Sequence, residues 1–159
     1  MIGPHSLKLA LVEPEIPQNA GNVVRLCAAT GTALHLVRPL GFVLSDRHFK
    51  RAGMDYFSAA SITVHDDLKA LRAAIKNDPL FLTTGLALQP PAMELWQARF
   101  EPDAWLLFGK ESAGLPAELL IDHPHRTLRI PMQEGTRGLN LATAAGIVLY
   151  EALRQISAK

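Results

Sequence analysis

Side chains able to hold a hydroxyl or exchange a proton gather at four places in this chain. Asn19, Asn22 and Arg25 lie in EPEIPQNAGNVVRLC (13–27), Thr83 and Thr84 in LTTGLAL (82–88), Glu111 in LLFGKESAGLPAELL (106–120), and Arg137 and Asn140 in IPMQEGTRGLNLATAAG (130–146). Each group follows a short apolar run. A plain turn needs only Gly and one or two polar residues, and the loop from Met132 to Asn140 carries more, at a length where a connection begins to suggest function. Glu111 reads either as a surface carboxylate or as an acceptor inside a folded loop. Asn19 reads as a helix N-cap with Asn22 and Arg25 on one face behind it. A capped helix with a solvent-facing Arg and a substrate-facing helix start fit that stretch about equally.

Several chemistries are excluded by what surrounds these residues. No GxGxxG follows the first apolar run, which removes a dinucleotide site of the usual kind. GKES (109–112) is not a phosphate-binding Walker loop, because Glu111 follows the Lys where Ser or Thr is required. No Cys/His cluster offers a metal site. Cys27 is the single cysteine, so no internal disulfide forms and a reducing, cytoplasmic setting is expected.

The elements that must position these groups alternate. Short apolar runs at 8–12, 34–37, 62–65, 80–85, 104–109 and 127–132 read as strands, several with the continuous apolarity of a buried parallel sheet. Helical patterns fill the intervals at 19–30, 45–52, 66–77, 92–100, 115–121 and 139–156. The expected class is α/β with a mostly parallel sheet flanked by helices. In such sheets ligands collect outside the carboxyl ends of the strands, where all four polar groups fall. The Pro-rich piece LQPPAMELW (88–96) reads as a loop before a helix. The helix after the fourth group starts on Ala142, Ala144, Ala145 and Gly146, which permit close packing.

With 159 residues, 48% of them hydrophobic and 19% charged, the chain is expected to form a single domain over 1–159. Net charge is +1, so any RNA-binding surface must be a local patch. No run approaches the roughly 18 apolar residues of a membrane span, and no secretory leader is expected.

The succession EPEIPQNAGNVVRLCAATG, RAGMDYF (51–57), LFLTTG, FGKESAGLP and RIPMQEGTRGLNLATAAGIVLYEALRQ resembles the SpoU branch of the SPOUT methyltransferases over nearly the whole chain. The likeness is greatest to the minimal, YibK-like members, which methylate the ribose 2′-OH of the wobble cytidine or uridine in tRNA. The resemblance implies a SPOUT fold whose C-terminal chain threads a loop as a deep trefoil knot, an exception to the rule that folds are unknotted. It also implies S-adenosylmethionine as cofactor, held in a bent form largely by backbone at the positions matching Leu82, Gly109, Ile130, Met132 and Gly138.

Catalytic roles carried over by the same resemblance fall on Arg25, Asn19 and Asn140. Arg25 takes the base-like or substrate-activating part. Because a guanidinium is essentially always protonated, it acts either with help, for example from an RNA phosphate, or as an electrostatic clamp. Asn19 and Asn140 orient the ribose and the loop, and Glu111 shapes the cofactor loop. No metal is implied. The chain departs from the pattern at Gly138, where relatives usually carry Ser, and at Ala142-Thr143, where they carry Ser-Asn.

Arg47, Lys50 and Arg51 sit at i, i+3 and i+4 and form one basic face, which becomes a tRNA-facing patch under the resemblance. A homodimer with the active site near the interface is implied as well, with Ile147, Leu149, Tyr150 and Leu153 of the last helix as core or dimer surface. Two competing functions are an rRNA ribose 2′-O-methyltransferase and a non-catalytic RNA-binding protein of the same fold.

Overall fold

The computed structural model describes residues 2–88 and 91–157. Seven strands form one sheet: β1 (Lys8–Val12), β2 (Ala33–Val37), β3 (Ile62–His65), β4 (Leu80–Thr83), β5 (Met93–Glu94), β6 (Trp105–Phe108) and β7 (Thr127–Arg129). Their order across the sheet is β3-β2-β1-β6-β4-β7-β5, and every pairing is parallel. The apolar runs that read as strands are short because both faces of the sheet are covered. Leu9, Leu11, Leu106 and Phe108 enter one apolar layer, and Ala10, Val12, Trp105 and Leu107 enter the other, as the two-residue period of a strand requires.

Helices α1 (Pro17–Thr30), α2 (Arg47–Gly53) and α5 (Leu141–Ser157) cover the first layer, through Val23, Val24, Phe49, Ala145 and Val148 among others. Helices α3 (Leu68–Ile75) and α4 (Ala117–Asp122) cover the second, through Leu71, Ile75, Leu119 and Leu120. From β1 the chain steps outward to β2 and β3, then crosses to the other half of the sheet, where it lays down β4 and the edge strand β5, returns to β6 beside β1, and ends with β7 between β4 and β5. The reversal lies between β1 and β6, where Leu11 stands beside Phe108. A crevice opens at such a point because the loops leaving the two strands turn to opposite sides.

Three sequence expectations are corrected. The helix expected over 92–100 is instead β5 followed by a 3-10 turn at Leu95–Gln97. Buried Ala92, Leu95 and Ala98 repeat every three residues, a spacing that suits a 3-10 turn as well as an α-helix. Glu94 and Gln97 close that turn as a capping box. Within the piece read as a preceding loop, residues 89 and 90 lie outside the described residues. Asn19 is not the N-cap of α1: Pro17 takes the first helical position, which its fixed φ favours, and the start moves two residues upstream. Strands β4, β6 and β7 end at Thr83, Phe108 and Arg129, short of the expected ends, because the residues after them leave the sheet to wall a cavity. Among the described residues no helix is long and apolar enough to cross a membrane.

Candidate functional site

The cavity encloses about 440 Å³ at the carboxyl ends of β4, β6 and β7, within the range of small-molecule sites. Its wall has four parts: Ile16 and Asn19 at the start of α1, Thr83 to Leu86 after β4, Phe108 to Gly114 after β6, and Ile130, Met132 and 138–141 after β7, with Ala144 of α5 completing it. All four polar groups singled out in the sequence therefore contribute to one site. Of the five residues that the resemblance assigns to the methyl donor, Gly109, Ile130, Met132 and Gly138 line the cavity. The Leu82 side chain does not; it is fully buried in the layer under α3 and α4, and Thr83, one residue on, stands in the wall in its place.

The loop after β6 is folded against the N-terminus of α1 by reciprocal carboxylate contacts. Glu111 accepts from the backbone N–H of Glu15 at 2.8 Å, from that of Ile16 at 3.1 Å and from Asn19 Nδ2 at 3.1 Å. A carboxylate from a distant loop thus caps α1, whose own N-cap residue, Ile16, supplies no side-chain bond. In return Glu15 accepts from the N–H and the hydroxyl of Ser112, both at 2.8 Å. Those Ser112 bonds hold the Glu15 carboxyl below its ordinary value, with Lys110 adding to the effect and desolvation opposing it.

Lys110 Nζ donates to Glu13 at 3.0 Å, and this contact raises the Lys110 ammonium above its ordinary value. Glu13 has φ 53°, a left-handed conformation unusual outside glycine. It ends β1 and swings the next residues toward Glu111. Gly109 permits the tightest part of the fold, since a Cβ there would collide with the backbone of Gly114 and Leu115.

From Glu111 the hydrogen bonds continue across the cavity wall. Asn19 Oδ1 accepts from Asn140 Nδ2 at 2.8 Å, and Asn140 Oδ1 accepts from the N–H groups of Ala142 at 2.9 Å and Thr143 at 3.3 Å. Asn140 is thereby the cap of α5, with its own amide tied to α1. Glu111, Asn19 and Asn140 form one relay that locks three segments around the cavity.

Some backbone groups in the wall stand without backbone partners. In the loop 133–140, the backbone hydrogen bonds among the described residues run from Thr136 N to Gln133 O and from Ala144 N to Asn140 O, leaving 137–139 with none. Thr83 Oγ1 is buried without a partner. At Gly138 an added Cβ would meet nothing within 4 Å, so a side chain has room there. Among the described residues no group of His, Cys, Asp or Glu could hold a metal.

Arg25 stands apart from this wall. It is exposed on α1, six residues beyond Asn19, which is about 9 Å along the helix axis. Its guanidinium carbon lies 5.5 Å from the centroid of the Tyr56 ring, within the 3-10 turn Met54–Ser58. Arg47, Lys50 and Arg51 are all exposed on α2, whose start is capped by Asp46 through His48 N at 2.7 Å and Phe49 N at 3.3 Å.

The brace formed by Glu13, Glu15, Lys110 and Ser112 was not legible in the sequence, because its halves are about a hundred residues apart. The contact of Tyr56 with Arg25 has no local signal either, although Tyr56 stands in RAGMDYF, one of the stretches that carry the resemblance. The Asn140 cap had a local signal: an Asn standing immediately before a run of good helix formers.

Comparison with known proteins gives a consistent picture. The chain is 44% identical over 150 residues to a putative tRNA (cytidine(34)-2′-O)-methyltransferase of Bacillus subtilis, covering 94% of this chain and 93% of that one. It is 40% identical over 151 residues to the tRNA (cytidine(34)-2′-O)-methyltransferase of Escherichia coli K12, covering 94% of each. A solved structure described as giving structural insights into the 2-OH methylation of C/U34 on tRNA superposes with a TM-score of 0.91 at 46% identity, over 99% of this chain and 100% of that chain. An AdoMet-bound rRNA methyltransferase from Sinorhizobium meliloti superposes with a TM-score of 0.83 at 26% identity, over 98% of this chain but 58% of its own. Residues 6–150 match the profile of the SpoU rRNA Methylase family, and to that family the chain belongs.

Proposed function

We propose that this protein methylates the ribose 2′-OH of the wobble nucleotide of tRNA, cytidine or modified uridine at position 34, with S-adenosylmethionine as donor. The observation that carries the reading is the identity of 40% and above, over more than nine-tenths of both chains, to enzymes named for that reaction. An AdoMet-bound relative within the same fold supports the cofactor. The wall itself suits such a group: glycines at 85, 109 and 138, apolar Phe108, Ile130, Met132 and Leu139, and uncommitted backbone polar groups at 138–139. When bound, S-adenosylmethionine supplies an electrophilic methyl on a sulfonium centre.

The chain's own residues then have to position, activate and exclude water. Gly109, Ile130, Met132 and Gly138 hold the donor, with Thr83 and Thr84 in the wall beside them. Asn19 and Asn140, fixed by Glu111, orient the ribose beside it. Positioning is the largest expected contribution, since aligned reactants supply roughly 7–11 kcal/mol of a barrier. Arg25 works as an electrostatic clamp rather than as a base. An exposed guanidinium over an aromatic face stays charged, and that charge stabilises the ribose oxygen as it loses its proton. Arg47, Lys50 and Arg51 contact tRNA phosphates.

The reading includes a homodimer. Tyr150 on α5 is 53% exposed, and Met132 and Leu139 beside the cavity are each 42% exposed, a distribution suited to cover by a second copy. It also includes the trefoil knot, for which the support is that the two junctions expected to make it, 109–114 and 130–140, wall one cavity together. Transfer of labelled methyl from S-adenosylmethionine into total tRNA, with mapping of the product, tests the function. Label at the 2′-O of nucleotide 34 supports it, and label at another position or no label in the tRNA overturns it.

A further inference from the structure

We propose that Val43 and Leu44, at the tip of the loop after β2, form an apolar shelf for a base of the RNA strand, set between the cavity and the basic face of α2. The inference rests on the tRNA reading given under the proposed function. Val43 is 66% exposed and Leu44 37%, at adjacent positions where a loop ordinarily carries polar or turn residues. The same loop has already met the needs of the core. Leu40 and Phe42 turn inward against the first apolar layer, with the Phe42 ring 5.1 Å from that of Phe49. Packing therefore accounts for those two side chains and leaves Val43 and Leu44 facing outward.

The loop is held at both ends. The Gly41 N–H donates to the Pro14 carbonyl at 2.9 Å, and an added Cβ on Gly41 would stand 2.5 Å from the Glu15 carbonyl oxygen. Only glycine allows that approach. It sets the loop beside the start of α1, where Ile16, the residue after Glu15, lines the cavity and is 43% exposed. At the other end the Asp46 N–H donates to the Val43 carbonyl at 2.8 Å, which closes the tip as a tight turn, and the Asp46 carboxylate caps α2. Arg47, Lys50 and Arg51 follow at once, all exposed.

Charge decides the occupant. None of those three cations forms an ion pair among the described residues, and a phosphate backbone supplies the counter-charge that an apolar protein patch lacks. A strand with its ribose at the cavity and its phosphates on α2 crosses the tip between the two. The wobble nucleotide belongs to a single-stranded loop, whose unstacked bases offer flat faces to side chains. The shelf thus joins the site of transfer to the site of phosphate contact.

The test compares a polar variant, Val43→Thr with Leu44→Gln, against an apolar variant, Val43→Ile with Leu44→Met. Each is measured for affinity toward the tRNA that the wild-type protein methylates, over a series of salt concentrations. The polar variant should bind about five- to tenfold more weakly at every concentration, and the slope of log affinity against log salt should not change, because an apolar contact releases no counterions. The apolar variant should bind like wild type. Calorimetry should find S-adenosylmethionine affinity unaltered in both, and sedimentation an unaltered oligomeric state. A polar variant with wild-type affinity, a reduced salt slope, an equal loss in the apolar variant, or a matching loss of S-adenosylmethionine affinity overturns the proposal. So does a changed oligomeric state, which would make the tip a surface between copies of this chain. If the wild-type protein transfers no methyl to tRNA, the functional reading fails and the shelf with it; transfer by the wild type with an indifferent polar variant removes the shelf alone.

Discussion

Glu111→Gln probes the relay with little change of shape. The Glu111 carboxylate uses one oxygen for Glu15 N and the other for both Ile16 N and Asn19 Nδ2. A Gln has one acceptor oxygen, so whichever way its amide turns, an NH₂ faces at least one of those donors. The loss is one or more charge-assisted hydrogen bonds, each worth about 1.5–3 kcal/mol, and the partial exposure of the group argues for the lower end. At about 1.5 kcal/mol, a chain of this size should melt about 3–6 °C lower. Thermal unfolding followed by circular dichroism reads the shift. Because Asn19 is a partner in the same relay, Asn19→Ala combined with Glu111→Gln should destabilise by less than the sum of the two, with a coupling of at least about 0.5 kcal/mol. A Glu111→Gln protein melting within about 1 °C of wild type, or strict additivity with Asn19→Ala, would refute the relay as the device that joins the loop after β6 to α1 and α5.

Three further outcomes follow from other parts of the structure. Gly138→Ser should fold without loss of melting temperature, since a Cβ there meets nothing within 4 Å, and calorimetry should find S-adenosylmethionine binding equal or tighter; a melting loss of several degrees would contradict the open space. His35 is held down to about 4 from 6.5, by burial first, then by His65, whose ring nitrogen lies 2.9 Å away, and by Lys8. The unfolded chain therefore takes up a proton that the folded one refuses. The associated stability is fully present above about pH 6.5 and is lost as pH falls toward 4, so urea midpoints should drop across that window and His35→Gln should flatten the drop. Replacing Arg47, Lys50 and Arg51 together by Ala should weaken tRNA binding across all sequences and lower the slope of log affinity against log salt by up to about 2–3; an unchanged slope would place the RNA elsewhere.

Much of the framework was readable from composition along the chain. Six of the seven strands fall where continuous apolar runs stand, because a sheet covered on both faces demands apolar residues at every position. The exception, β5, has two residues of its own, Met93 and Glu94, both partly buried, and no periodicity can form in so short a piece. Strand ends were overestimated at β4, β6 and β7 for a reason tied to function: residues such as Gly109 and Ile130 continue the apolar run because they wall a cavity, not because they pair in the sheet.

The polar residues of the site were visible, but their bonding was not. Glu111 and Asn19 are 92 positions apart, and they meet because β1 and β6 are neighbours, a fact of strand order that local pattern does not carry. Asn19 illustrates the cost of local reasoning: its residue type suits a cap, yet Pro17 set the helix start and freed the Asn19 amide to bridge Glu111 and Asn140.

The most direct test of the account is methyl transfer from labelled S-adenosylmethionine into total tRNA by the purified protein, followed by nuclease digestion and mapping of the modified nucleotide. The account predicts 2′-O-methylated cytidine or uridine at position 34. Label at another tRNA position, or no transfer at all, would contradict it.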